Sequence, residues 1–178
     1  MNGRRPVHSA SPAVLFRRHT MKKTNAMRML DRAKIPYEVR EYAVDENDLS
    51  GEHVAAQLGE DFERVFKTLV LRGERTGYIV CCIPVHRELD LKKAARAAGD
   101  KRAELLPLKE LLPVTGYIRG GCSPVGMKRH YPTFIHRSAQ EQDHIAVSAG
   151  VRGAQVILAP QDLQSAVQAQ FADLVQGE

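Results

Sequence analysis

The sequence predicts an α/β domain built on a mixed sheet that curls on itself, rather than a doubly wound parallel sheet. Three observations carry this. Short apolar strands alternate with amphipathic helices without the regular strand–helix–strand repetition of a doubly wound parallel sheet. Two apolar runs, Val65–Arg72 and Gly77–Val85, are separated only by Gly73-Glu74-Arg75-Thr76, the spacing of a hairpin. The first of these runs is apolar on both faces, as in a strand covered on both sides.

The elements follow in order. Thr24 is a plausible N-cap for a helix carrying Ala26, Met27, Leu30 and Ala33 at helical spacing, stopped by Pro36. Tyr37 to Val44 reads as a strand rich in aromatic and branched residues. Ser50 caps a second helix with Val54, Ala55 and Leu58, closed by Gly59. After the hairpin, Asp90 caps a helix through Ala98 that stops at Gly99, and Leu108–Leu112 is a short helix ended by Pro113. Strands are expected at about Tyr117–Arg119, Thr133–His136, Ile145–Ser148 and Gln155–Leu158, with a final helix over roughly Gln161–Leu174.

At 178 residues the chain is long enough for one domain with its own core, and 43% apolar content supplies the side chains for it. No apolar run approaches the ~18 residues of a membrane-spanning helix. Cys81, Cys82 and Cys122 make no CxxC pair, and the seven histidines show no HxH or HExxH spacing, so neither a disulfide framework nor a metal site is expected. The chain reads as a reduced, cytoplasmic protein without a cofactor. Residues 1–20 contain Arg4, Arg5, Arg17 and Arg18 and no acid, and read as an appendage to a single domain over 21–178. Without those four, bases and acids stand at 22 against 21, so the body has no uniformly basic coat for nucleic acid. The clusters Lys92-Lys93-Arg96, Lys101-Arg102 and Lys128-Arg129-His130 could meet phosphates or be solvated faces.

Three stretches could carry chemistry. Strand alternation puts Lys67 with Val65, Leu69 and Leu71, so its ammonium is delivered into an enclosed space; it either lines a pocket as a cation or snorkels to water from the strand end. The run Gly120-Gly121-Cys122-Ser123-Pro124-Val125-Gly126 offers backbone N–H groups without side-chain obstruction, or is simply a tight turn. Within it Cys122 is either a nucleophile, with His130 or His136 as base, or a packing residue. Cys81 and Cys82 read as core. The small residues of Val147–Gly153 suit a hairpin and could also wall a pocket.

Taken together, Val65-Phe66-Lys67-Thr68-Leu69-Val70, Leu89-Asp90-Leu91-Lys92-Lys93, Gly120–Gly126 and Val147–Gly153 resemble, in order and spacing over about residues 22–175, the YbaK/EbsC group of trans-acting aminoacyl-tRNA deacylases. The resemblance implies a mixed, partly closed β structure wrapped by helices, and clearance of misacylated Cys-tRNA(Pro), with Cys-tRNA(Cys) as a further substrate. A related editing domain inserted in some prolyl-tRNA synthetases acts on alanine, so Ala-tRNA(Pro) is an alternative, as is a non-catalytic descendant that binds tRNA or a synthetase. By resemblance Lys67 is the key pocket lysine, and Tyr42, Ser50, Thr68, Gly120, Gly121, Ser123, Pro124, Ser148, Gly150 and Gln155 belong to the substrate pocket. No protein nucleophile is implied: the substrate thiol attacks its own ester carbonyl and leaves as a thiolactone. Prolyl-tRNA synthetase is the implied partner. The chain departs from the group at Ser50, where some members carry an aromatic, and at Gln155 and His136, where an acid is frequent. Those departures bear on amino-acid specificity.

Overall fold

In a computed structural model, residues 21–178 are described; the appendage expected over 1–20 lies outside them. Helix α1 (Asn25–Arg32) begins at Thr24, whose hydroxyl oxygen accepts from Met27 N at 3.2 Å and donates to Ala149 O at 2.6 Å. One residue therefore caps the helix and ties it to the chain 125 positions away. Strand β1 (Glu38–Glu41) is shorter than expected, and α2 (Gly51–Leu58) runs from the Ser50 cap to left-handed Gly59.

The expected hairpin is present: β2 (Phe66–Gly73) pairs antiparallel with β3 (Tyr78–Pro84), Lys67 facing Ile83 and Thr68 facing Cys82. Helix α3 (Leu91–Ala97) starts at Asp90, whose carboxylate accepts from Lys92 N and Lys93 N. A short strand β4 (Ala103–Leu105), absent from the sequence expectation, pairs with Leu71–Gly73 of β2.

Helix α4 (Leu108–Thr115) does not stop at Pro113 but continues through it. Proline cannot donate to the carbonyl four residues back, at Lys109. Both residues are exposed, so that carbonyl faces water, and the helix ends one residue past Thr115 at left-handed Gly116. The strand expected at Tyr117–Arg119 is a loop. Its backbone is satisfied locally, Tyr117 N donating to the Thr115 hydroxyl and Gly121 N to Ile118 O, which leaves no ladder to join.

Strands β5 (Thr133–His136), β6 (Ile145–Ser148) and β7 (Ala154–Leu158) match expectation closely, with a 3-10 turn (Arg137–Glu141) after β5. The final helix is half as long as expected. Helix α5 (Pro160–Val167) breaks at left-handed Gln168, and Gln170–Ala172 forms β8, parallel to β5. Edge pairing along Phe134–His136 wins over the helical propensity of the Gln/Ala run.

The strands make two sheets, β1-β7-β6 and β4-β2-β3-β5-β8, the second mixing parallel and antiparallel pairs. Among the described residues they meet at a parallel bridge, Val65–Ala146, reinforced by Ala146 N donating to Arg64 O at 2.8 Å. Ala55 of α2 packs over this seam with Val65, Val85, Ala146 and Ile157. The largest core cluster joins α1, β6, β7 and α5, with Leu30, Ile145 and Leu163 fully buried. Cys81 and Cys82 are fully buried, as expected of core residues. No described helix is long and apolar enough to cross a membrane.

Candidate functional site

Strand β2 is pinned to β6 at Val65 and to β4 at Leu71–Gly73, but between these points its second edge has no partner strand among the described residues. Val65 O accepts from Val85 N on the β3 side, whereas Val70 O, five residues on, accepts from Leu106 N on the opposite side. Backbone alternation then turns the Thr68 N–H and C=O toward the open edge. A cavity of about 510 Å3 lies along that edge, within the size range of small-molecule sites. The open edge also explains why consecutive residues, Phe66 to Val70, all contribute to the wall, although strand alternation assigns them to two faces.

Lys67 is half-buried and lines this cavity together with Gly120. Its ammonium makes no ion pair among the described residues. The other charged side chains on the wall are Glu52, in the first turn of α2, and Arg119, both exposed. Tyr42, Ser50, Thr68, Ser148 and Gln155 line the same space. Tyr42 is held by its backbone N–H to Gly153 O at 2.9 Å. The Ser50 hydroxyl oxygen accepts from His53 N, and Ser148 Oγ accepts from Gly150 N at 3.2 Å. Gln155 is buried, and its side-chain oxygen has no hydrogen-bond partner among the described residues. A buried acceptor without a donor is costly, so this oxygen is available to a ligand N–H or O–H.

Gly121, Ser123, Pro124 and Gly150 do not line the cavity; they stand behind its wall. A β-carbon on Gly121 would sit 3.0 Å from Arg152 N, so the Gly120–Gly126 loop lies directly on the 149–153 loop. Ser123 is fully buried, its Oγ accepting from Val125 N at 3.2 Å. Pro124 is buried beside it. The close backbone approach that the glycine pair permits is thus used at Gly121 for packing one loop on another.

Cys122 also lines the cavity, but burial pushes its thiol up to about 12, only partly offset by the Thr115 hydroxyl. Neither His130 nor His136 reaches the cavity wall. A neutral thiol without a base is a poor nucleophile. Burial likewise pushes the Cys82 thiol up to about 12.

His136 lies elsewhere, fully buried, with Nδ1 accepting from Leu174 N at 3.2 Å and Nε2 3.5 Å from Glu178. Burial lowers its pKa, so it is neutral near pH 7. With Asp173 and Glu178 it brings three potential ligand atoms within 4.8 Å of one another. The carboxylates are already engaged, Asp173 accepting from Lys93 at 2.8 Å and Glu178 from Arg87 and Arg137 at 3.0 and 3.1 Å. This cluster fastens the end of the chain and contributes nothing to the cavity.

Sequence reasoning missed the wall supplied by Leu105, Leu106, Leu108 and Leu111 from β4 and α4, and Leu49 before α2. A leucine-rich helix face reads as core in any sequence, and nothing in its spacing distinguishes a cavity wall.

Residues 46–166 match the family described as the aminoacyl-tRNA editing domain. The chain belongs to that family. Within the aminoacyl-tRNA editing family, it is 50% identical over 164 residues to a protein of Enterococcus faecalis with the provisional name Cys-tRNA(Pro)/Cys-tRNA(Cys) deacylase EbsC, covering 92% of this chain and all of that one. A proline–tRNA ligase of Thermosipho melanesiensis is 32% identical over 88 residues, 49% of this chain and 15% of the ligase. The fold is shared with a crystal structure described as a candidate trans-editing enzyme for prolyl-tRNA synthetase, at a TM-score of 0.75 and 24% identity, covering 86% of this chain and 96% of that one.

Proposed function

We propose that this editing-family protein is a free-standing aminoacyl-tRNA deacylase that clears cysteine from Cys-tRNA(Pro), and from Cys-tRNA(Cys), in the cytoplasm. The observation that carries the reading is a lysine ammonium, without an ion pair among the described residues, on the wall of a cavity sized for a small ligand and bordered by a strand edge that has no partner strand among those residues. Half-identity to a relative named for deacylating those two tRNAs favours cysteine as the amino acid.

The chemistry needs no protein nucleophile. The substrate thiolate adds to its own ester carbonyl, forming the carbon–sulfur bond. The bond from the carbonyl carbon to the ribose oxygen then breaks, that oxygen takes a proton, and cysteine leaves as a thiolactone. Proximity of thiolate and carbonyl supplies much of the rate. The protein's part is to hold the ester in place and stabilise negative charge on oxygen, for which Lys67 and the Thr68 backbone N–H are suited. Ser148, Tyr42 and Gln155 are the polar groups that orient the amino acid, Gln155 by accepting from the substrate. The curl between the two sheets acts as the partly closed wall that keeps this space small, and residues 21–178 are the unit that carries it. Prolyl-tRNA synthetase, which generates the mischarged tRNA, is the partner.

The test is a deacylation panel over Cys-tRNA(Pro), Cys-tRNA(Cys), Ala-tRNA(Pro) and Pro-tRNA(Pro). Rapid release from the two cysteinyl substrates and a sulfur-containing cyclic product support the reading; release of alanine alone, or binding without release, overturns it.

A further inference from the structure

The cavity lining includes two chemically different groups of side chains. One is polar, made by Lys67, Thr68, Ser148 and Gln155. The other is made of leucines, and two of these, Leu105 at the end of β4 and Leu108 at the start of α4, both line the cavity and remain 54% and 58% exposed. Large apolar side chains left so open beside a cavity mark a surface that a ligand covers. Leu112, one turn further along α4, is 51% exposed but does not line the cavity. The apolar lip is therefore continuous with the cavity at Leu105 and Leu108 and leaves it at Leu112.

We infer that Leu105 and Leu108 form the seat for the terminal adenine of the aminoacyl-tRNA. The inference rests on the deacylase reading above. In a 3′-aminoacyl adenosine the ester and the base hang from one ribose, so an ester held by the polar side chains places the base a few ångströms away. The ligand that covers these leucines must be continuous with whatever fills the cavity, and a flat nucleobase with apolar faces meets that condition. Apolar side chains are established platforms for bases taken out of a stack. A separate protein docking on α4 would cover Leu112 equally and would have no reason to stop at the cavity mouth.

Two stable probes test this: 3′-deoxy-3′-(cysteinylamino)adenosine, and the same cysteinylamide on a ribose that lacks the base. The wild-type protein should bind the adenosine probe at least about tenfold more tightly than the base-less one. Leu105→Ala and Leu108→Ala should each remove about fivefold of that advantage while leaving the base-less probe unaffected. Leu112→Ala should keep the full advantage. Because all three side chains are exposed, the variants fold, and circular dichroism verifies it. Equal affinity of the wild type for both probes overturns the inference, as does an advantage that survives Leu105→Ala/Leu108→Ala. So does a Leu112→Ala loss matching that at Leu108, which would mark α4 as a general docking face. These affinities are read without turnover, so a protein that discriminates the probes yet deacylates no tRNA would refute the deacylase reading and leave the adenine seat standing.

Discussion

Gly150 lies against Tyr117: a β-carbon on Gly150 would come within 2.9 Å of the Tyr117 ring, and its φ of +98° lies in the left-handed region. Tyr117 in turn donates its hydroxyl proton to Val125 O at 2.6 Å. The 149–153 and 116–126 loops are thereby locked together behind the wall that Gly120 and Ser148 present to the cavity. Gly150→Ala combines a steric clash with an unfavourable backbone conformation and should cost about 2–3 kcal/mol. A lowered thermal midpoint together with reduced deacylation is expected; unchanged stability would contradict the interlock.

Cys122 lines the cavity as a neutral group, its thiol pushed up to about 12 by burial. Cys122→Ala should retain deacylation within about threefold, and iodoacetamide at pH 8 should leave Cys122 unmodified in the folded protein. Abolished activity in a folded Cys122→Ala protein would restore a thiol nucleophile.

The same burial predicts how stability responds to alkali. Cys82 and Cys122 stay protonated in the folded state up to about 12, whereas a thiol of the unfolded chain ionises near 9. Above pH 9 the unfolded state therefore binds fewer protons than the folded one, and stability falls as pH rises toward 12. Urea midpoints should drop between pH 8 and pH 10.5, less steeply in Cys122→Ala. An unchanged midpoint would show that these thiols ionise normally.

Asp100 fixes the turn between β2 and β3, its carboxylate accepting from Arg75 N, Thr76 N and the Thr76 hydroxyl, each at 2.9 Å. These bonds hold its carboxyl well below the usual carboxylate range. The stability it contributes is complete above the unfolded pKa near 4 and is lost progressively as pH falls from there through the much lower folded pKa. Asp100→Asn should lower the thermal midpoint at pH 7, lower it less at pH 2.5, where part of the contribution is already lost, and leave deacylation intact, since Asp100 does not line the cavity. Equal destabilisation at both pH values would contradict the role of its charge.

Much of this architecture is legible locally. Thr24, Ser50 and Asp90 cap their helices through side-chain oxygens as the sequence implies, and the β2–β3 hairpin follows from two apolar runs around a short polar connection. The failures share one cause, a distant partner overriding a local preference. Helix α5 stops early because Gln170–Ala172 finds the edge of β5, and β4 exists because Leu71–Gly73 offers an edge. Pro113 reads as a stop, yet the bond it forfeits is on the solvent side of α4. At the site, strand alternation admits Lys67 either as a pocket cation or as a side chain snorkelling to water, and its place on the cavity wall depends on the tertiary fold. The open edge at Thr68 likewise depends on where β4 and β6 happen to attach.

The most direct measurement is deacylation of Cys-tRNA(Pro) by Lys67→Ala, read beside the thermal midpoint of the same preparation. Lys67 is half-buried and makes no ion pair among the described residues, so its removal should leave the fold intact. Loss of a positive donor at a developing oxyanion should slow release by about 100- to 1,000-fold. Release at the wild-type rate from a folded Lys67→Ala protein would contradict the account.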